Sequence, residues 1–110
     1  MSLEQVLLSA IRDKTSLEVM YQGVARVICP WRLGWKTTEK SGPHKNLLCY
    51  QIGGYSASGL KPHGSMENFR CWNLDEIRSA LPVSTPWYFP QTWPKEPSTC
   101  IDDVIAEAGS

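Results

Sequence analysis

Four cysteines, two histidines and one glycine-serine loop are where this 110-residue chain would be expected to do chemistry. Cys29, Cys49, Cys71 and Cys100 are scattered, and no two are separated by the two-residue gap of zinc fingers and ribbons. Three of them fall in segments that read as strands. They are therefore read as buried free thiols in a reducing compartment, with a disulfide or redox role as the alternative. His44 and His63 sit in polar stretches with no carboxylate or cysteine at ligand spacing, so surface histidines are expected. Gly54 to Gly59 has the glycine spacing of a phosphate-binding loop. However, Leu60 intervenes before Lys61, and Pro62 stands where a hydroxyl should hold magnesium. A nucleophile elbow fails at Ser58, which occupies the place of its second glycine. The expectation is a protein that is not an enzyme, with no metal and no cofactor.

Composition narrows the class. Eleven lysines and arginines balance eleven aspartates and glutamates, so no global field draws the chain to nucleic acid or to an anionic membrane. No apolar run approaches the length needed to cross a bilayer, and the N-terminus lacks a signal-peptide pattern, so a cytoplasmic protein is expected. The length suits one domain with one modest core.

The elements that must position any site can be read along the chain. Ser2 and Gln5 have capping-box spacing, and Leu3, Val6, Leu7, Ala10 and Ile11 repeat at helical period before Asp13-Lys14-Thr15 ends the pattern. Leu17, Val19 and Tyr21 then alternate with other residues, Gly23 offers a turn, and Ala25 to Cys29 resumes a strand that stops at Pro30, which predicts a hairpin. Trp31 to Trp35 reads as an edge segment, because proline cannot donate to a ladder. Residues 36–45 read as an exposed loop around Gly42-Pro43. A central strand is expected over Leu47 to Ile52, a long loop over 53–64, and a strand from Met66 to Leu74. Asp75 should cap a turn of helix over Glu76 to Leu81, ended by Pro82.

The remainder has a different composition. Thr85 to Pro97 holds four prolines and four aromatics, which excludes regular helix and favours extended backbone. Burying each Trp or Tyr removes about 150–250 Å² from water, so such an arm is expected to dock on its own domain or on a partner. Ile101, Val104 and Ile105 suit a short amphipathic helix. The division expected is a domain over 1–82 and a docking arm with its C-terminal segment over 83–110.

Phe69-Arg70-Cys71-Trp72-Asn73-Leu74-Asp75-Glu76-Ile77, together with Tyr21, Gly23, Arg26 and Pro30, resembles the WYL domain family, small modules often found as the sensing part of bacterial transcription regulators. Arg70, Trp72, Leu74, Asp75 and Ile77 match the family's order. Asn73 and Glu76 replace two expected arginines, and Cys49-Tyr50-Gln51 is the nearest counterpart of the triplet that names the family. The match covers about two-thirds of the chain. It implies a mainly β fold with a short N-terminal helix, an SH3-like or Sm-like barrel of about five antiparallel strands. It also implies a pocket for a small charged ligand or nucleotide formed by Tyr21, Arg26, Tyr50, Arg70 and Trp72, with the 53–64 loop as a lid. Guanidinium forks suit phosphate. The missing arginines weaken the case for nucleic acid, and Glu76 is expected to pair with Arg70 or Arg78. The alternative is a protein-interaction module that forms a homodimer or takes a protein partner through the Trp/Pro arm, since such residues dominate interfaces.

Overall fold

The computed structural model describes residues 2–40, 42–54, 59–63, 65–88 and 100–108. Among the described residues one helix, α1 (Leu3–Asp13), precedes six strands: β1 (Leu17–Tyr21), β2 (Val24–Thr38), β3 (Gly42–Gly54), β4 (Phe69–Asn73), β5 (Ile77–Pro82) and β6 (Asp103–Glu107). Short 3₁₀ turns cover Met66–Asn68 and Leu74–Glu76.

Local sequence explains the first third. The Gln5 amide donates to the Ser2 hydroxyl, while the Ser2 amide donates to the Gln5 side chain, so two orphan donors of the first helical turn are satisfied. Leu7, Ala10 and Ile11 are buried on one face, and Lys14 ends the helix in the left-handed conformation with its N–H on the Ala10 carbonyl. Gln22 and Gly23 both have positive φ between the paired Tyr21 and Val24. That backbone matches the twist of the two strands it joins and closes the expected β1–β2 hairpin.

Beyond Pro30 the structure departs from expectation. Trp31 to Trp35 is not an edge, and most of residues 36–45 is not a loop, because β2 continues to Thr38 and pairs with β3 as far as Gly42. Pro30 lies where the β2–β3 register shifts, so its missing N–H interrupts the ladder only locally. One edge of β2 pairs with β3; the other is shared between β1, along Val24 to Ile28, and β6, along Arg32 to Trp35.

Two expected helical segments are strands. After a single 3₁₀ turn capped by the Asn73 side chain rather than Asp75, the chain enters β5 and pairs with β1 from Tyr21↔Ile77 to Leu17↔Pro82. The C-terminal segment forms β6 rather than a helix. In each case an unpaired strand edge supplies more hydrogen bonds than a short helix could form alone, and tertiary pairing overrides local propensity. Gly34 makes the second pairing feasible: a Cβ there would lie 2.2 Å from the Asp103 carbonyl oxygen and 2.5 Å from Ile101 Cγ2.

The fold is mainly β, as expected, with strand order β4-β3-β2-β1-β5 and β6 on the far half of β2. The sheet is strongly curled. In a flat sheet β4 and β1 would be about 14 Å apart, three strand spacings; instead Tyr21 of β1 stacks on Trp72 of β4 at 4.1 Å between ring centroids. The sheet is nevertheless open, since no ladder joins β4 to β5 among the described residues. Helix α1 packs against β2, β5 and β6, and with it Leu7, Ile11, Leu17, Val19, Ile28, Leu33, Leu47 and Ile77 form the core within the curl.

The candidate arginine-aromatic site

Strand alternation decides which predicted residues meet. Opposed residues of an antiparallel pair share a face. The pairs Val19↔Arg26, Ile28↔Gln51, Cys49↔Arg70 and Leu47↔Trp72 therefore place Arg26, Gln51, Cys49, Arg70 and Trp72 on the concave face with the core. Tyr21, two residues from Val19, joins them.

Arg26 is the centre of this cluster. Its guanidinium carbon lies 5.0 Å from the Tyr21 ring centroid and 5.3 Å from that of Trp72, nearly equidistant from two stacked rings. All three residues are buried. A desolvated guanidinium gains about 2 kcal/mol or more from such ring contact, against less than half of that at an exposed site. At its rim the Tyr21 hydroxyl donates to Glu76 Oε2 at 2.8 Å. Glu76 was expected to pair with Arg70 or Arg78; the 3₁₀ turn at Leu74–Glu76 brings it instead to the end of β1.

Arg70 shares the face but is committed to holding the chain. Its Nε donates to Gln51 Oε1 at 3.2 Å, and one terminal nitrogen donates to the carbonyls of Glu67 at 2.7 Å and Phe69 at 3.0 Å. Gln51, fully buried, passes the network on by donating to the Gly53 carbonyl at 3.0 Å. Tyr50 lies on the opposite face, because it neighbours Cys49 and Gln51 in a strand of period two. There it packs edge-on against Phe69 and Tyr88, and its hydroxyl donates to the Ser65 carbonyl. The five predicted residues thus divide into Tyr21, Arg26 and Trp72 in one cluster, Arg70 bracing the adjoining loop, and Tyr50 on the other side of the sheet. Residues 55–58 and 64 of the expected lid lie outside the described residues.

Burial also governs the ionisable groups. Desolvation first, then the hydrogen bond to Glu76 and its charge, push the Tyr21 phenol up to about 12. The neutral phenol is therefore favoured by folding, and this contribution is complete below its ordinary value near 10 and lost as pH rises from 10 towards 12. Urea unfolding at pH 9 and 11.5 should show wild type losing about 2 kcal/mol more than Tyr21→Phe across that interval. Equal losses would show that Tyr21 ionisation does not matter. Cys49 is pushed far above the ordinary thiol range by burial, with Arg70 and Arg26 opposing, and Cys29 is raised by burial too; neither is poised as a nucleophile.

The reading of all four cysteines as free thiols is corrected for two of them. Cys71 and Cys100 form a disulfide, while Cys29 and Cys49 are free and buried. Their separation of 29 residues hid the pairing, which only the approach of the C-terminal segment to β4 creates. The arm of the sequence begins on its own domain: Trp87 stacks on Trp31 at 5.7 Å, and the Tyr88 amide donates to Cys29 Sγ at 3.1 Å. Residues 89–99, with the arm's other aromatics, lie outside the described residues. No family model, curated protein or solved structure matches the chain.

Proposed function

We propose that this domain is a WYL-like sensing module that takes a small charged ligand, of the nucleotide or phosphate class, at the Tyr21–Arg26–Trp72 end of the curled sheet. The observation that supports it is Arg26, a cation held against two stacked rings with a hydrogen-bonded tyrosine and carboxylate at its rim. Ring contact orients a guanidinium fork, and an oriented fork suits bidentate phosphate better than a flexible ammonium does. The proposed setting is cytoplasmic; among the described residues no helix is long and apolar enough to cross a membrane.

Calorimetry and thermal shift with mononucleotides, cyclic dinucleotides and short single-stranded oligonucleotides test the reading. Binding should weaken at least tenfold in Arg26→Lys, which keeps the charge and loses the fork, and far less in Lys36→Ala on the distant β2–β3 hairpin. Absence of binding up to millimolar ligand, or equal affinity in wild type and Arg26→Lys, would overturn it.

A second reading, a protein-interaction module, is favoured by an apolar groove of about 410 Å³ between α1 and β5, lined by Val6, Ala10, Leu17, Ala80, Leu81 and Pro82 among others. Leu81 is 64% exposed there, on a strand that pairs on one side only among the described residues. A monomer in light scattering that captures no protein partner would count against this reading.

A further inference from the structure

The Cys71–Cys100 disulfide joins the outer strand β4 to the segment that leads into β6. Cys71 is exposed and Cys100 half-buried, whereas the two free cysteines are buried, so a dissolved thiol reagent meets this pair first. The strand behind the bond is lightly held. It meets β2 over Arg32↔Glu107, Leu33↔Ala106, Gly34↔Val104 and Trp35↔Asp103, with a register shift in the middle. Val104 and Ile105 are 52% and 42% exposed. Of its ion pairs, Lys36–Asp102 has a well exposed carboxylate and contributes little, so Arg32–Glu107 is the one charge contact that holds it among the described residues. Ile101 and Ala108, at the two ends of the segment, are buried, and between them only Ala106 of the described residues packs, partly buried, against the core.

We propose that this disulfide is a redox latch on β6. Oxidised, it keeps the C-terminal strand seated on β2; reduced, it lets β6 leave and bares the β2 edge from Arg32 to Trp35. Reduction requires a dithiol: one thiolate attacks a sulfur of the bond, forming a mixed disulfide and releasing the other protein cysteine as thiolate. The second thiolate of the dithiol then displaces the first protein sulfur. The dithiol ends as a disulfide, and Cys71 and Cys100 end as two thiols after taking up two protons. The bared edge offers unpaired N–H and C=O groups to another strand, so the latch couples redox state to an available pairing surface. In a reducing compartment the bond becomes a conditional feature of the fold, not a fixed staple.

Native-state hydrogen exchange of the full chain, with and without dithiothreitol, tests this. Amides of Val104 to Ala108 should accelerate on reduction at least tenfold more than those of Leu47 to Gln51 in β3. A Cys71→Ser/Cys100→Ser variant should show the fast pattern without reductant and no further response to it. A common acceleration factor for β6 and β3, or no acceleration, would overturn the latch. So would a double variant that is wholly unfolded, since the bond would then hold the whole domain.

Discussion

Trp72→Ala is expected to destabilise the domain by about 3–5 kcal/mol, the usual cost of removing a buried tryptophan. Trp72 is buried on β4, stacks on Tyr21 across the two strands that separate them in the sheet, and lies against Arg26. Its loss would open a cavity at the point where the sheet curls and would leave a desolvated guanidinium with one ring instead of two. Ring stacking adds about 0.5–1.5 kcal/mol to area burial alone, which places the change toward the upper part of the range. A domain of this size is stable by about 5–15 kcal/mol, so roughly a fifth or more of the total is at stake. Urea titration should show a large fall in the midpoint. Trp35→Ala serves as the contrast: that side chain is 41% exposed and lies outside the buried core, with the Lys45 ammonium 4.9 Å from its ring, so a cost under about 1 kcal/mol is expected. Comparable costs for the two tryptophans would mean that Trp72 does not hold the curl together.

Cys71→Ser/Cys100→Ser should lower global stability by about 3–4 kcal/mol, the loop-entropy scale for a bond that closes a loop across 29 residues. Wild type in dithiothreitol should fall by a similar amount, while the double variant should not respond to reductant. Guanidinium unfolding in the four conditions separates this effect from side-chain packing, because Cys71 is exposed and serine there loses little buried area. A double variant as stable as oxidised wild type would show that the bond closes no loop that matters in the unfolded chain. Iodoacetamide under native conditions should label the reduced protein at Cys71 and Cys100 and spare Cys29 and Cys49, which burial both shields and keeps protonated.

The two halves of the candidate site differ in how far they can be read from residue types. The family resemblance picked out Tyr21, Arg26 and Trp72, and strand alternation around them was sufficient to put Tyr21 on the same face as Val19 and Leu17. The same alternation, applied to Cys49-Tyr50-Gln51, would have separated Tyr50 from Arg70 and drawn attention to Gln51. Glu76 carried no such signal, because its place beside Tyr21 depends on the 3₁₀ turn that carries the chain from β4 into β5.

What the sequence by itself determined is local: the capped helix α1, the tight Gln22-Gly23 hairpin, the strand nature of Leu47 to Ile52 and the mainly β composition. Each rests on interactions spanning a few residues, so the residues that form them are neighbours in the chain. The tertiary structure decided the rest. Residues 77–82 and 103–107 are strands because β1 and β2 present edges that need partners, Gly34 matters because another backbone lies against it, and Cys71 meets Cys100 because the fold brings the C-terminal segment to β4. Hydrogen bonds and thiols are satisfied by whatever the fold brings within reach, and reach between distant segments is a property of the folded chain and not of its local pattern.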